Sequence, residues 1–196
     1  STELHAPLRD LLGLTTLLGH HRAAAFSLTD AATGRAVSVS SLRGQVVVLT
    51  FADATCKDIC PVLAAELRVA ATDLEKSSVP ATFVTVNTDP LATSPKDAAI
   101  LHQPLLASIP GWMFLTGPVK TLNHVWTDYG ISITVNRTTK AVSHNDLLYF
   151  VRKNGSLAWT AIPFADQSRG GAYSLPQAVI DRFGAGIAKY ARSLAK

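Results

Sequence analysis

Cys56 and Cys60 are the only cysteines among 196 residues, and they stand four positions apart in the run CKDICP. Two thiols at this spacing, carried in a first helical turn, project to nearly the same side. They can close a small disulfide or chelate one soft metal ion together. The plainer reading is two ordinary buried cysteines, because the free residue behaves as a small hydrophobe. Coincidental cysteines, however, need not fall together where an apolar strand breaks off into a helix. Lys57 stands between the thiols, and with the helix dipole it favours at least one depressed thiol pKa. The histidines are less telling. His20 and His21 are adjacent, so they do not face each other on a helix, and they read as imidazoles near a helix C-terminus. His102 and His124 read as surface or core-edge side chains.

The elements that must position the cysteines follow from the apolar pattern. Residues 46–51, VVVLTF, form a β-branched run without alternation, as expected of a strand buried on both faces. Pro61 suits the first turn of a helix over 62–74, with Leu63, Leu67, Ala70 and Leu74 on one face. A second buried strand over 81–86 completes a right-handed βαβ unit, so the two strands are expected to be parallel. Before it, residues 25–30 and 35–39 flank Thr33-Gly34 as a hairpin. After it come a helix from Pro95 to about residue 106, a third strand near 112–117 and a helix over 119–129 stopped by Gly130. Strands are expected over 131–135 and 147–151, and Asn154-Gly155 turns the last into an antiparallel hairpin with 156–160. A final amphipathic helix runs over 176–194, reached through the segment 166–171. The sum is a thioredoxin-like α/β fold, with a central mixed sheet flanked by helices. Residues 1–22 are expected to be a stalk or helical extension, helical from about Pro7 to Leu18, and residues 23–196 the domain.

Apolar content of 47% and charge of 16% are enough for one substantial core. The net charge is +4 and the pI about 9.2, yet the basic residues never form a run, which argues against nucleic-acid binding. No apolar stretch is long enough to span a bilayer. A chain opening at Ser1 is compatible with a lost N-terminal anchor, and membrane association through such an anchor is an expectation.

Several runs taken in order resemble the Sco/SenC proteins: FSLTD, SLRGQVVVLTF, CKDICP, VTVNTDP, FLTG and VSHNDLLYFVRKNG. The resemblance covers residues 26–164. It implies a copper chaperone for assembly of cytochrome c oxidase, in which the cysteines of a C-x-x-x-C-P motif and one distant histidine bind copper. Those positions are Cys56, Cys60 and His144 here. It also implies an extracytoplasmic protein, on the periplasmic face of a bacterial membrane or in the mitochondrial intermembrane space. Its partners would be a copper-receiving oxidase subunit or other copper protein and an upstream copper donor. The chain departs from its relatives at Asp53-Ala54, where they carry an aromatic-Thr pair, at Lys57, where they carry Pro, and at Ser143, where they carry Asp. Asp53 and Asp58 are the carboxylates expected to balance the site from the other side.

Two thiolates and one imidazole are a soft set that suits Cu(I), and they hold Cu(II) when a further oxygen or nitrogen joins. Structural zinc demands four ligands, and no third cysteine exists. The second reading is a thiol-disulfide oxidoreductase or redox sensor using the Cys56/Cys60 pair. Thioredoxin-type enzymes use C-x-x-C and commonly place a cis-proline before the penultimate strand, where this chain has Val142-Ser143-His144-Asn145. A binding module that has lost the chemistry is the third reading, and the intact cysteine pair and histidine argue against it.

Overall fold

A computed structural model describes residues 5–19, 21–57, 60–163, 166–167 and 173–196. His20 and Asp58 lie outside the described residues, as does most of the 166–171 segment. In chain order the elements that matter are α1 (Leu8–Leu11), β1 (Thr15–Thr16), β2 (Ser27–Asp30), β3 (Ala36–Ser38), β4 (Val47–Ala52) and α2 (Cys60–Lys76). They continue as β5 (Thr82–Asn87), α3 (Pro104–Ala107), β6 (Met113–Thr116), α4 (Val119–Asp128), β7 (Ile133–Val135) and β8 (Val142–His144). The chain closes with β9 (Leu148–Val151), β10 (Leu157–Ala161), the short pair β11 (Asp166–Gln167) and β12 (Tyr173–Ser174), and α5 (Gln177–Leu194).

The main sheet has eight strands in the order β1-β10-β9-β4-β5-β6-β2-β3. β4, β5 and β6 are parallel neighbours, and the remaining pairs are antiparallel. The mixed thioredoxin-like sheet expected from the sequence is therefore present, with β4 at its centre and buried at all six positions. Apolar cores lie on both faces. One packs β4 and β5 under α2 and α5 through Leu63, Leu67, Phe150 and Phe183. The other gathers Phe51, Trp126, Tyr129 and Tyr149 beneath α4.

α2 and α5 approach closely because α5 carries glycine at the contact. A Cβ at Gly184 would stand 2.5 Å from Val69 Cβ and 2.8 Å from the Glu66 carbonyl oxygen. One at Gly186 would stand 2.5 Å from Leu12 Cδ1. Leu11 and Leu12 are both buried, and β1 forms the sheet edge beside β10. Among the described residues no helix is long and apolar enough to cross a membrane.

Two helices differ from expectation. The amphipathic pattern over 7–18 yields only one turn, because Gly13 adopts φ +57° and the chain then extends into β1. The segment 95–106 forms separate short turns instead of one helix. Pro104 has no N–H to continue the preceding turn, and the Gln103 side chain accepts from the Leu106 amide to start α3 afresh. The strand expected over 131–135 does form as β7, but outside the main sheet. It pairs antiparallel with β8, with Ile133 opposite His144 and Val135 opposite Val142.

Candidate metal and thiol site

β4 ends at Ala52, and the loop that follows is held to the sheet by Asn87, the last residue of β5. The fully buried Asn87 carboxamide accepts from the Ala54 amide at 3.1 Å and from the Asp89 amide at 2.9 Å. Its Nδ2 donates to the Ala92 carbonyl at 2.8 Å and to Thr116 Oγ1 at 3.1 Å. Asp53 shapes the next turn, since its Oδ1 accepts from both the amide and the hydroxyl of Thr55 at 2.8 Å. The chain then reaches Cys56 with φ +55°, a backbone conformation costly for a residue bearing a Cβ.

Cys56 and Cys60 form a disulfide, with their Cα atoms 5.3 Å apart. The two are not equivalent. Cys60 opens α2 and is 1% exposed, whereas Cys56 lies on the loop before the helix and is only half-buried. The expectation of two thiols in one first helical turn thus gives way to one sulfur in the loop and one at the helix start. The left-handed conformation at Cys56 is what separates the two settings.

A cleft of about 590 Å³ lies beside this loop. Asp53, Thr55 and Lys57 line one wall, and Lys140 to Val142, at the turn of the β7–β8 arm, line the other. Asp89 lines it too, with a carboxyl pushed up to about 6 by burial, opposed by the hydrogen bond from the Leu91 amide and raised further by the neighbouring Asp53. The arm that faces the cysteine loop carries His144 at its far end.

The His144 side chain is 8% exposed. Its Nδ1 lies 2.9 Å from the Asn145 carbonyl oxygen and 3.5 Å from Asp146 Oδ1. Burial raises the Asp146 carboxyl pKa, and the adjacent imidazole lowers it. The carboxylate beside His144 therefore comes from Asp146, two residues later. Asp53, one of the two carboxylates expected from the sequence, is occupied with Thr55. Ser143 is exposed and pairs with Thr134 across the arm. Nothing in the run VSHND marks Asp146 as that partner; its place on the Nδ1 edge depends on how the chain leaves β8. Among the described residues no group of three or more His, Cys, Asp or Glu side chains is gathered closely enough to hold a metal ion. The structure thus joins Cys56 to Cys60 in one disulfide and carries His144 at the end of β8.

The SCO1/SenC family profile matches residues 16–171. The chain belongs to that family. Solved structures with the same fold include a SCO1/SenC family lipoprotein from Bacillus anthracis, 19% identical with a TM-score of 0.70, the match covering 91% of this chain and 97% of that one. Arabidopsis thaliana ScoI with copper bound is 21% identical with a TM-score of 0.67, covering 87% and 98%. BsSco, described as a member of the Sco family of cytochrome c oxidase assembly proteins with a disulfide switch, is 21% identical with a TM-score of 0.60, covering 92% and 97%. A comparison with curated proteins finds no match. In this SCO1/SenC protein the second cysteine of the C-x-x-x-C-P run opens the helix that follows β4.

Proposed function

We propose that the protein binds copper through Cys56, Cys60 and His144 and acts in assembly of a respiratory cytochrome c oxidase or another copper protein. The observation that carries this reading is the paired cysteine loop facing, across one cleft, the arm that bears His144. Family membership and the copper-bound state of Arabidopsis ScoI support it. The donor chemistry fits. Reduction of the disulfide frees two soft thiolates, and the imidazole supplies a borderline nitrogen, a set suited to Cu(I). The cargo would come from a copper donor and pass to a copper-accepting oxidase subunit. The placement that goes with this reading is outside the cytoplasm, on the periplasmic face of a bacterial membrane or in the mitochondrial intermembrane space, where a Cys56–Cys60 disulfide can form.

A second use of the same sulfurs is reduction of the acceptor's own cysteines, favoured by the difference between the half-buried Cys56 and the buried Cys60. The Cys56 thiolate attacks one sulfur of the acceptor disulfide and expels the other as a thiolate. Cys60 then attacks Cys56, restoring the intramolecular disulfide and releasing an acceptor dithiol, two electrons having passed.

The test is copper uptake by the reduced protein. One equivalent of Cu(I) is expected, with uptake abolished in Cys56→Ser and Cys60→Ser. His144→Ala is expected to bind Cu(I) more weakly and to form no stable Cu(II) complex. A histidine variant with the wild-type Cu(II) spectrum would refute the ligand assignment.

A further inference from the structure

A carbonyl oxygen only accepts hydrogen bonds, so the 2.9 Å contact between the Asn145 carbonyl and His144 Nδ1 requires the proton on Nδ1. In the neutral ring the lone pair then sits on Nε2. The Asp146 carboxylate faces the same Nδ1 edge at 3.5 Å and is itself largely shielded, its side chain 22% exposed. The mount beneath these groups is well braced. The Asn145 side chain accepts from the Ser132 amide at 2.8 Å and donates to the Gly130 carbonyl at 2.9 Å, while His144 is paired with Ile133 in the β7–β8 arm.

We propose that Asp146 is a positioning residue for the metal ligand: together with the Asn145 carbonyl it holds the Nδ1 edge of His144, presents Nε2 as the donor atom and strengthens that nitrogen toward Cu(II). The inference rests on the copper-binding reading given above. A carboxylate behind a ligating imidazole fixes the ring's orientation and raises its basicity, and losing such a partner ordinarily weakens metal binding by about ten- to a hundredfold. Cu(II), the harder and more highly charged ion, depends on the imidazole more than Cu(I) does, because the two sulfurs satisfy Cu(I). The loss falls mainly on Cu(II).

Two measurements on the reduced protein decide the matter. Nitrogen-15 spectra of the metal-free protein should show the His144 ring protonated at Nδ1; a ring protonated at Nε2 overturns the proposal. Chelator competition should then show Cu(II) held about ten- to a hundredfold more weakly by Asp146→Ala, with an altered electron paramagnetic resonance signature. Asp146→Asn, which keeps the shape and loses the charge, should weaken Cu(II) in the same direction and guards against a fold defect in the alanine variant. Wild-type Cu(II) affinity and spectrum in both variants, beside a His144→Ala protein that has lost Cu(II), overturns the role of Asp146 and leaves the metal centre standing. A wild-type protein that takes up no copper removes the reading on which the role rests, and the role with it.

Discussion

Asn87 Oδ1 accepts the Ala54 amide proton at 3.1 Å, so the last residue of one central strand fixes the loop that leaves its neighbour. Removing the carboxamide orphans the buried amides at Ala54 and Asp89 and takes from the buried Thr116 hydroxyl oxygen the N–H it accepts. Asn87→Ala should lower unfolding stability by about 2–4 kcal/mol. Urea denaturation checks it, and an unchanged midpoint would show that solvent replaces these bonds without cost.

Asp89 gives the cysteine loop a dependence on pH. Burial raises its carboxyl from 3.8 to about 6, so the folded state binds this proton more tightly than the unfolded chain does. Its contribution therefore grows as pH falls, beginning near the folded value and complete below the unfolded one. Between about pH 7 and about pH 4 the gain is on the order of 2 kcal/mol. Asp89→Asn should remove that component: the difference in stability between variant and wild type should shrink toward acid. A constant difference across the range would contradict the assignment.

Gly184→Ala should destabilise the α2–α5 contact by about 1–3 kcal/mol, since the new methyl group meets Val69 and the Glu66 backbone at once. Backbone cannot swing aside as a side chain can. Thermal denaturation of this variant beside Ala185→Gly, altered one position away on the same helix, separates steric crowding from helix propensity. A melting point for Gly184→Ala at or above wild type would show that the helices part cheaply.

The sulfurs also predict a slow exchanger. The C-x-x-x-C loop is one residue longer than the C-x-x-C turn, and Cys56 takes a left-handed backbone within it, whereas rapid turnover with protein disulfides needs a resolving thiol held ready beside the attacking one. Insulin reduction by the reduced protein should run well below thioredoxin under the same conditions, and one equivalent of Cu(I) should suppress it further. Thioredoxin-like rates that His144→Ala does not alter would favour thiol-disulfide exchange as the principal function.

Much of this architecture was legible in residue order because its signals are local. The unbroken apolar run of β4, the 3.6-residue periodicity of α2 and the Asn154-Gly155 turn each specify an element within a few residues, and the fold follows from their sequence. The cysteine pair announced the site. Legibility failed where distant groups decide the outcome. Nothing near Asn87 reveals that its amide serves a different strand, and nothing near Cys56 reveals its left-handed backbone. The apolar pattern over 7–18 fits a helix, yet Thr15 and Thr16 find a better partner in the open edge of β10. The β7–β8 arm was half visible: β7 has a strand's composition, but its partner β8 is a three-residue stretch ending in His144, too short and polar to register as a strand.

The seat of Leu12 against Gly186 sets a timetable for the newborn chain. A polypeptide is made from its N-terminus, so the leucine emerges long before its glycine platform, with every strand of the main sheet made in between. Until then Leu12 lacks the helix it packs on, although the β10 edge that β1 covers is already made. Synthesis of this protein thus includes a long interval in which the apolar segment around Leu12 waits without its α5 platform, a natural landing place for the chaperones that shield unfinished chains.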